Sequence, residues 1–356
     1  MPAPPDPEQQ LAALRRGERL AADEVRSLTD GVLAGTVDLD AFGRWLVALA
    51  EAGETAAEIT GVAAALRGRM LPLDAGLPAS TLVADTCGTG GDGSGSFNIS
   101  TAAAIVVAAA GQPVAKHGNR AVSSRTGSAD VLAALGVKTD ASVATVAACL
   151  RELGLCFCFA PAHHPAMAKV GPLRKSLGRP TVFNLVGPLC NPAGAAVQVI
   201  GVGRPEAREP IAEAARRLGA RRAVVVSGFL VAADGTVDPK PFDELSLFGP
   251  TEVIDVSADR VERYRWTPEQ FGLATLPSER LGDLEVAGPE ESAAAIRGVL
   301  AGQRGPRRDV VVLNAAAVLV AAGRGDPRAA RELAEQAIDS GRAAEVLAGL
   351  ARLSSS

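Results

Sequence analysis

The chain has 356 residues, 47% of them hydrophobic, and a formal net charge of −4. That length suits two domains, or one large α/β domain with an appendage, and the apolar content allows a sizeable core. The acidic balance, with no long basic run, excludes nucleic-acid binding by bulk electrostatics, and no run of about 18 uncharged apolar residues is present to cross a membrane. The start, Met1-Pro-Ala-Pro-Pro-Asp-Pro, lacks a charged-then-apolar signal pattern. The five cysteines (Cys87, Cys149, Cys156, Cys158, Cys190) are odd in number and contain no CxxC spacing. They read as reduced core thiols of a cytoplasmic protein. Cys156 and Cys158 at i, i+2 mark one face of a buried strand.

In chain order, residues 8 to about 70 carry apolar residues at helical spacing, as in Phe42, Trp45, Leu46 and Leu49. Thr55 as an N-cap with Glu58 three residues on is a capping box. No strand-like run occurs there, so an all-helical N-terminal domain of about four helices is expected, over residues 1–72. Leu71-Pro-Leu-Asp-Ala-Gly-Leu-Pro reads as a linker. Beyond it, over 73–356, strands and helices alternate. Strands are expected at Leu82–Asp85, Pro113–Lys116, Val199–Val202 and Ala223–Ser227. Helices are expected at Ser100–Ala110, from about Gly127 to Leu135, and from about Glu206 to Leu218. From about residue 289 the chain is mainly helical. This alternation implies an α/β fold with a mostly parallel central sheet, whose ligands bind at the carboxyl ends of the strands. The loops after Asp85, Lys116 and Ser227 should therefore gather on one edge.

Four segments carry chemistry. Cys87-Gly-Thr-Gly-Gly-Asp-Gly93 lies between a strand and a helix beginning near Asn98. It is a plain loop or a nest of inward N–H groups for phosphate. It is neither a Walker A loop nor the dinucleotide GxGxxG. Lys116 to Ser128 is dense in donors, which favours an anion-binding loop over a surface turn, with Lys116 a point charge for a diphosphate. His163-His164 and Arg174 come next. On one helix, His164 and Arg174 would share a face about 15 Å apart. Arg174 is a surface charge or a fork for a carboxylate. With three histidines in the chain, a zinc site is not expected. Finally, Asp243-Glu244 between alternating apolar residues is a solvated loop or a pair of hard oxygen ligands suited to Mg²⁺.

Taken together, the motifs Gly88-Thr-Gly-Gly-Asp92, Asn98-Ile-Ser-Thr101, Lys116-His-Gly-Asn-Arg120, Gly127-Ser-Ala-Asp130, His164-Pro-Ala-Met167 and Phe183-Asn-Leu-Val-Gly-Pro-Leu-Cys-Asn-Pro192 closely resemble the anthranilate phosphoribosyltransferases of tryptophan biosynthesis. They run in the family's order over nearly the whole chain. The resemblance implies a small helical domain that includes a segment near 175–195, a large α/β domain, substrates between them, Mg²⁺, and a homodimer joined through the helical domain. It implies transfer of the 5-phosphoribosyl group from phosphoribosyl pyrophosphate to the amine of anthranilate. Gly88, Thr89, Gly90, Gly91 and Asp92 would cradle the diphosphate. Asn98, Ser100 and Thr101 would extend that site, with Ser100 also at the metal. Lys116 would face the diphosphate, and His117, Gly118 and Asn119 would sit between the substrates. Ser128 would belong to a closing loop. Gly88, Asn119, His164, Arg174 and Pro188 would line the anthranilate site. Asp243 and Glu244 would hold Mg²⁺. Departure of pyrophosphate is the difficult step, so Lys116, His117 and Asn119 would do the catalytic work without a general base.

The chain departs from the family pattern in three places. Ser227-Gly228 stands where His-Gly is usual. Fourteen residues, Phe229 to Phe242, replace a much shorter link before Asp243. With Ala233-Asp-Gly-Thr and Asp238-Pro-Lys-Pro they read as a hairpin or surface loop: an inert excursion, or a modifier of acceptor choice, dimer contacts or metal affinity. His163 replaces a common tyrosine at the acceptor channel. Competing readings are a paralogue for another aromatic amino-carboxylate, a non-catalytic binding protein of the same fold, and a pyrimidine nucleoside phosphorylase. The intact Asp243-Glu244 pair opposes the second, and the Asn119, His164 and Arg174 set opposes the third.

Overall fold

The computed structural model describes residues 6–121, 124–232, 234–238 and 241–356. Ser123 of the donor-rich segment and Ala233, Pro239 and Lys240 of the inserted stretch lie outside the described residues.

Four helices open the chain: α1 (Pro7–Arg15), α2 (Ala22–Ala34), α3 (Leu39–Ala52) and α4 (Ala56–Arg69). The expected cap is present. Thr55 Oγ1 accepts from Glu58 N–H, and the Glu58 carboxylate accepts from Thr55 N–H at 2.8 Å and from Arg19 at 2.6 Å. The buried stripe of Phe42, Trp45, Leu46 and Leu49 on α3 packs into one core with α2 and α4. Val182, Phe183, Leu185, Val186 and Leu189, far along the chain, belong to the same core.

After the linker come β1 (Ala84–Gly88), α5 (Ile99–Ala109), β2 (Val114–Gly118), α6 (Ser128–Ala134), α7 (Val143–Leu153) and β3 (Leu155–Phe159). Three short helices follow, α8 (Ala160–His163), α9 (Gly171–Leu177) and α10 (Val182–Val186). Then come β4 (Val197–Gly201), α11 (Arg208–Arg217), β5 (Arg222–Gly228), β6 (Thr251–Val256) and β7 (Val261–Trp266). Four helices close the chain: α12 (Pro289–Leu300), α13 (Pro306–Ala321), α14 (Pro327–Asp339) and α15 (Arg342–Ser354). The seven strands form one sheet in the order β3-β2-β1-β4-β5-β6-β7. The first five are parallel, and β6 and β7 are antiparallel. The antiparallel pair has no counterpart in the expected strands, because its edge strand alternates charged and apolar residues and reads as a surface segment. Elsewhere the expected strands shift by one to three residues; β1 runs on into Gly88.

Alternation along β5 shows how the sheet is covered. Val224 and Val226 face the core built with α5 and α13, whereas Ala223 and Val225 face the core shared with α11 and the N-terminal helices. Cys156 and Cys158 lie on one face of β3 as expected, and all five cysteines are free. Among the described residues, no helix is long and apolar enough to cross a membrane.

The inserted stretch is pinched shut at its base. Gly228 and Phe242 form an antiparallel bridge, with N–H···O distances of 2.9 and 2.7 Å in the two directions. A second bridge, Val231 to Val237, makes a hairpin above it. Asp243 therefore emerges beside the end of β5, much as it would after a short link. Ser227 is fully buried and donates from Oγ to Val202 O at 2.7 Å.

Candidate active site

The ends of β1, β4 and β5 converge on Asp243 and Glu244 because each ends in glycine. A Cβ on Gly88 would stand 2.6 Å from Asp243 Oδ2, one on Gly201 1.6 Å from the Asp243 carbonyl, and one on Gly228 2.5 Å from the Glu244 carbonyl. Here glycine supplies room, not an unusual backbone angle. The angle matters one turn later, where Gly90, Gly91, Gly93 and Gly95 all have positive φ. Gly90 N–H donates to Asp243 Oδ2 at 2.8 Å. Asp92 accepts from Ser94 N–H at 3.0 Å and from Asp243 N–H at 3.4 Å. Ser100 N–H, in the first turn of α5, donates to Glu244 Oε1 at 3.1 Å. Lys116 is buried, and its Nζ donates to Thr86 O at 2.6 Å and Ser100 Oγ at 3.3 Å.

Three carboxylates thus crowd one cleft beside one lysine. Burial and the neighbouring charges of Asp92 and Glu244 push the Asp243 carboxyl well above the usual range. Burial pushes Glu244 up to about 7 against the opposing pull of Lys116 and Ser100. A bound cation reverses both shifts, so this donor set fits a metal. Among the described residues, no three His, Cys, Asp or Glu side chains form a complete ligand cage. Mg²⁺ keeps waters and shares one or two carboxylates with substrate phosphates, and Asp243 and Glu244 are such carboxylates.

Asn98 is placed differently from expectation. Its Oδ1 accepts from Ser292 Oγ at 2.7 Å and Thr126 Oγ1 at 3.1 Å, so its side chain ties α5 to α12 and to the loop before α6. The Thr101 hydroxyl is buried without a partner among the described residues. Ser128 packs on Gly118 and donates to Asn119 O at 3.3 Å.

On the other side of His117-Gly118-Asn119 lies a cavity of about 480 Å³, lined by Gly88, Thr89, Asn119, His164, Arg174, Phe183 and Pro188 among others. His164 and Arg174 do not share a helix. His164 follows α8 and Arg174 lies on α9, separated by a 3₁₀ turn over Pro165–Lys169, yet both reach this cavity. Pro165 and the Val170-Gly171-Pro172 junction break the continuous helix that the spacing suggested.

Alternation on β2 sends Lys116 to one face of the sheet and His117 to the other. His117 Nδ1 lies 3.1 Å from Gly187 O, and His164 Nε2 lies 3.1 Å from Cys190 O. A carbonyl only accepts, so each of these nitrogens carries the proton. The remaining nitrogens, His117 Nε2 and His164 Nδ1, are buried lone-pair acceptors without partners among the described residues. The two rings are 5.2 Å apart. Burial, then the charges of neighbouring groups, lowers His117 to about 3, and burial lowers His164 as well. Both imidazoles are therefore neutral acceptors at pH 7. Arg174 stacks over Phe183, its guanidinium carbon 5.3 Å from the ring centroid, and no carboxylate pairs with it among the described residues. A partly buried cation without a counter-ion suits an anionic ligand. His163 does not reach the cavity. It is buried beneath it, with Nδ1 donating to Leu71 O at 3.0 Å. No described residue of the inserted hairpin lines the cavity.

Sequence reading passed over Asp85, Asn191, Gln198 and Arg67, which are buried or half-buried polar groups around this cavity. Asn191 falls within the Phe183–Pro192 motif without a role of its own, and the other three carry no sequence signal beyond their polarity.

The comparisons agree with this geometry. Residues 9–70 match the helical bundle domain, and residues 80–344 the a/b domain, of the Glycosyl transferase family. The anthranilate phosphoribosyltransferase of Bradyrhizobium sp. is 46% identical over 352 residues, covering 97% of this chain and 98% of that protein. The structure of the enzyme of that name from Thermus thermophilus superposes with a TM-score of 0.85 at 42% identity, covering 97% of this chain and 99% of that one. The Saccharomyces cerevisiae enzyme in complex with PRPP and Mg has a TM-score of 0.84 at 26% identity, over 98% of each chain. With a relative this similar along its whole length, the chain belongs to the anthranilate phosphoribosyltransferase family.

Proposed function

We propose that the chain transfers the 5-phosphoribosyl group of phosphoribosyl pyrophosphate to the amine of anthranilate, as a step of tryptophan biosynthesis. One observation carries this reading. A cleft of phosphate-seeking glycines, a lysine and hard oxygen ligands abuts, across His117-Gly118-Asn119, an apolar cavity holding an unpaired arginine. Gly88 to Asp92, Ser100, Thr101 and Lys116 take the diphosphate. Asn98 acts from behind, by fixing the start of α5, and Ser128 by holding Asn119. Asp243 and Glu244, with Ser100, hold Mg²⁺, which when bound offsets the charge of the leaving pyrophosphate. Arg174 clamps the acceptor carboxylate, and Pro188 and His164 set its plane. The buried lone pairs of His117 and His164 accept the hydrogens of a neutral aromatic amine. At pH 7 the amine needs orientation more than deprotonation.

In this reading the helical unit 1–72, joined by 175–195, closes against the unit 73–356. The working form is a cytoplasmic homodimer. A groove between α1, α3 and α9, lined by Arg15, Asp40, Arg44 and Glu51, offers mixed charges for the joining surface. The free thiols suit a reducing compartment.

The test is the decay of anthranilate fluorescence on mixing the protein with anthranilate, phosphoribosyl pyrophosphate and Mg²⁺. Mg²⁺-dependent decay is expected. Folded protein that leaves anthranilate untouched but consumes another aminobenzoate transfers the assignment to that acceptor.

A further inference from the structure

The turn that supplies Gly187 and Pro188 to the cavity wall is held in an unusual way. It is a 3₁₀ turn, Gly187–Cys190, followed by the buried Asn191. Each of its four carbonyls accepts from a side chain on a different part of the fold. Gly187 O takes His117 on β2 at 3.1 Å, and Pro188 O takes Gln198 on β4 at 2.7 Å. Leu189 O takes Arg67 on α4 at 2.6 Å, and Cys190 O takes His164 at 3.1 Å. Four buried acceptors that must be satisfied, met by four separately anchored donors, leave the turn one position.

Asn191 extends this arrangement into the sheet. β1 and β2 pair in parallel only at Ala84–Val114. Beyond that point, side chains take the place of the ladder. Asn191 Nδ2 donates to Ala115 O at 2.8 Å and to Asp85 Oδ2 at 2.8 Å. Asp85 Oδ1 in turn accepts from His117 N–H at 3.3 Å. Asp85, Asn191 and Gln198 are all buried, and none of them lines the cavity. Gln198 and Asp85 touch the backbone of two residues that do, Pro188 and His117, and Asn191 holds Asp85 and the neighbouring Ala115 carbonyl.

We propose that Asp85, Asn191 and Gln198 are positioning residues for the acceptor. They lock the Gly187–Pro188 wall and the His117 ring to the ends of β1, β2 and β4, and so set how far the acceptor amine stands from the ribose carbon it attacks. This assignment rests on the function proposed above. Bond formation needs the reacting atoms within about 3–3.5 Å, and a shift of about 1 Å costs up to a hundredfold. A wall that moved independently of β2 would lose that distance.

Two variants test it, each measured by steady-state kinetics with either substrate varied and by thermal melting. Gln198→Met keeps the side-chain length and removes the donor to Pro188 O. Asn191→Asp keeps the shape and turns the donor to Asp85 and Ala115 O into an acceptor. In each, kcat should fall about tenfold and KM for anthranilate rise about tenfold, with KM for phosphoribosyl pyrophosphate unchanged within about twofold. A lower melting temperature with kcat and both KM values unchanged overturns the proposal, leaving these residues structural only. An equal rise in both KM values also overturns it. Should Asn191→Asp fail to fold, Gln198→Met decides alone. Wild-type protein that consumes no anthranilate sinks the functional reading and this one with it. An active wild type with unaltered variants sinks only the positioning role.

Discussion

The two halves of the site are built by opposite means. The phosphate side is set by backbone clearance. Strand ends, a run of glycines and one adjacent acid pair meet because parallel strands deliver their carboxyl ends to one edge, and glycine clears the space. The acceptor side is assembled from distant pieces: α4, β2, the α8–α9 region, the 187–191 turn and β4. The first half is charged and depends on backbone shape. The second holds one cation, Arg174, and depends on carbonyls held by imidazole, amide and guanidinium groups. An acceptor site whose task is distance control needs rigid cross-links.

That contrast is open to attack, most severely at Gly201. A methyl at Gly201 collides with the Asp243 carbonyl, so Gly201→Ala should displace the acid pair and cut kcat/KM by at least about a hundredfold. The concentration of Mg²⁺ for half-maximal rate should rise as well. A near-normal rate would mean that the Asp243 loop is not fixed by strand-end clearance. On the acceptor side, Arg174→Ala removes a charge-assisted contact of about 1.5–3 kcal/mol, roughly 10- to 150-fold in KM for anthranilate. KM for phosphoribosyl pyrophosphate should hold. Equal losses for both substrates would erase the distinction between the halves.

A control away from both halves is Glu58→Ala, which opens the cap of α4 and removes the carboxylate partner of Arg19. A loss of about 1–2 kcal/mol of stability, seen in chemical denaturation, is expected with both KM values intact. Kinetic changes there would show that α4 transmits cap strain through Arg67 to the turn.

A further effect concerns pH. His117 is lowered to about 3 in the folded protein from an ordinary 6.5. Between those values the unfolded chain binds a proton that the folded one refuses. The contribution to stability is therefore complete above pH 6.5 and is lost as pH falls toward 3. His117→Asn lacks this linkage. The melting advantage of wild type over the variant should shrink between pH 7 and pH 4. A constant difference would mean that His117 accepts a proton in the folded state, and the neutral-acceptor reading of the cavity would fail.

Much of this was legible in the residues themselves. Helical spacing and the Thr55–Glu58 box marked the N-terminal helices, alternation marked the parallel strands, and glycines between strand and helix marked the phosphate side. Each of these signals is short-range, set by backbone sterics and by side-chain periodicity within a few residues. The same spacing logic failed at His164 and Arg174, because proline and glycine between them broke the helix while the fold still brought both to one cavity. It also failed at β7, whose edge position lets charged residues alternate along a strand. The inserted hairpin read either as an inert excursion or as a modifier beside the acid pair, and the Gly228–Phe242 bridge closes it at its base.

Local sequence thus determined which elements form and where anions are welcome. Tertiary structure alone decided the histidine tautomers, the solitary state of Arg174, and the burial of Asp85, Asn191 and Gln198 around one turn. Those properties depend on which donor meets which carbonyl between separate elements, across 26 residues of chain at His164 and Cys190, 70 at His117 and Gly187, and 122 at Arg67 and Leu189. A protonation state or an unpaired charge is a property of such meetings, and no neighbour in sequence specifies it.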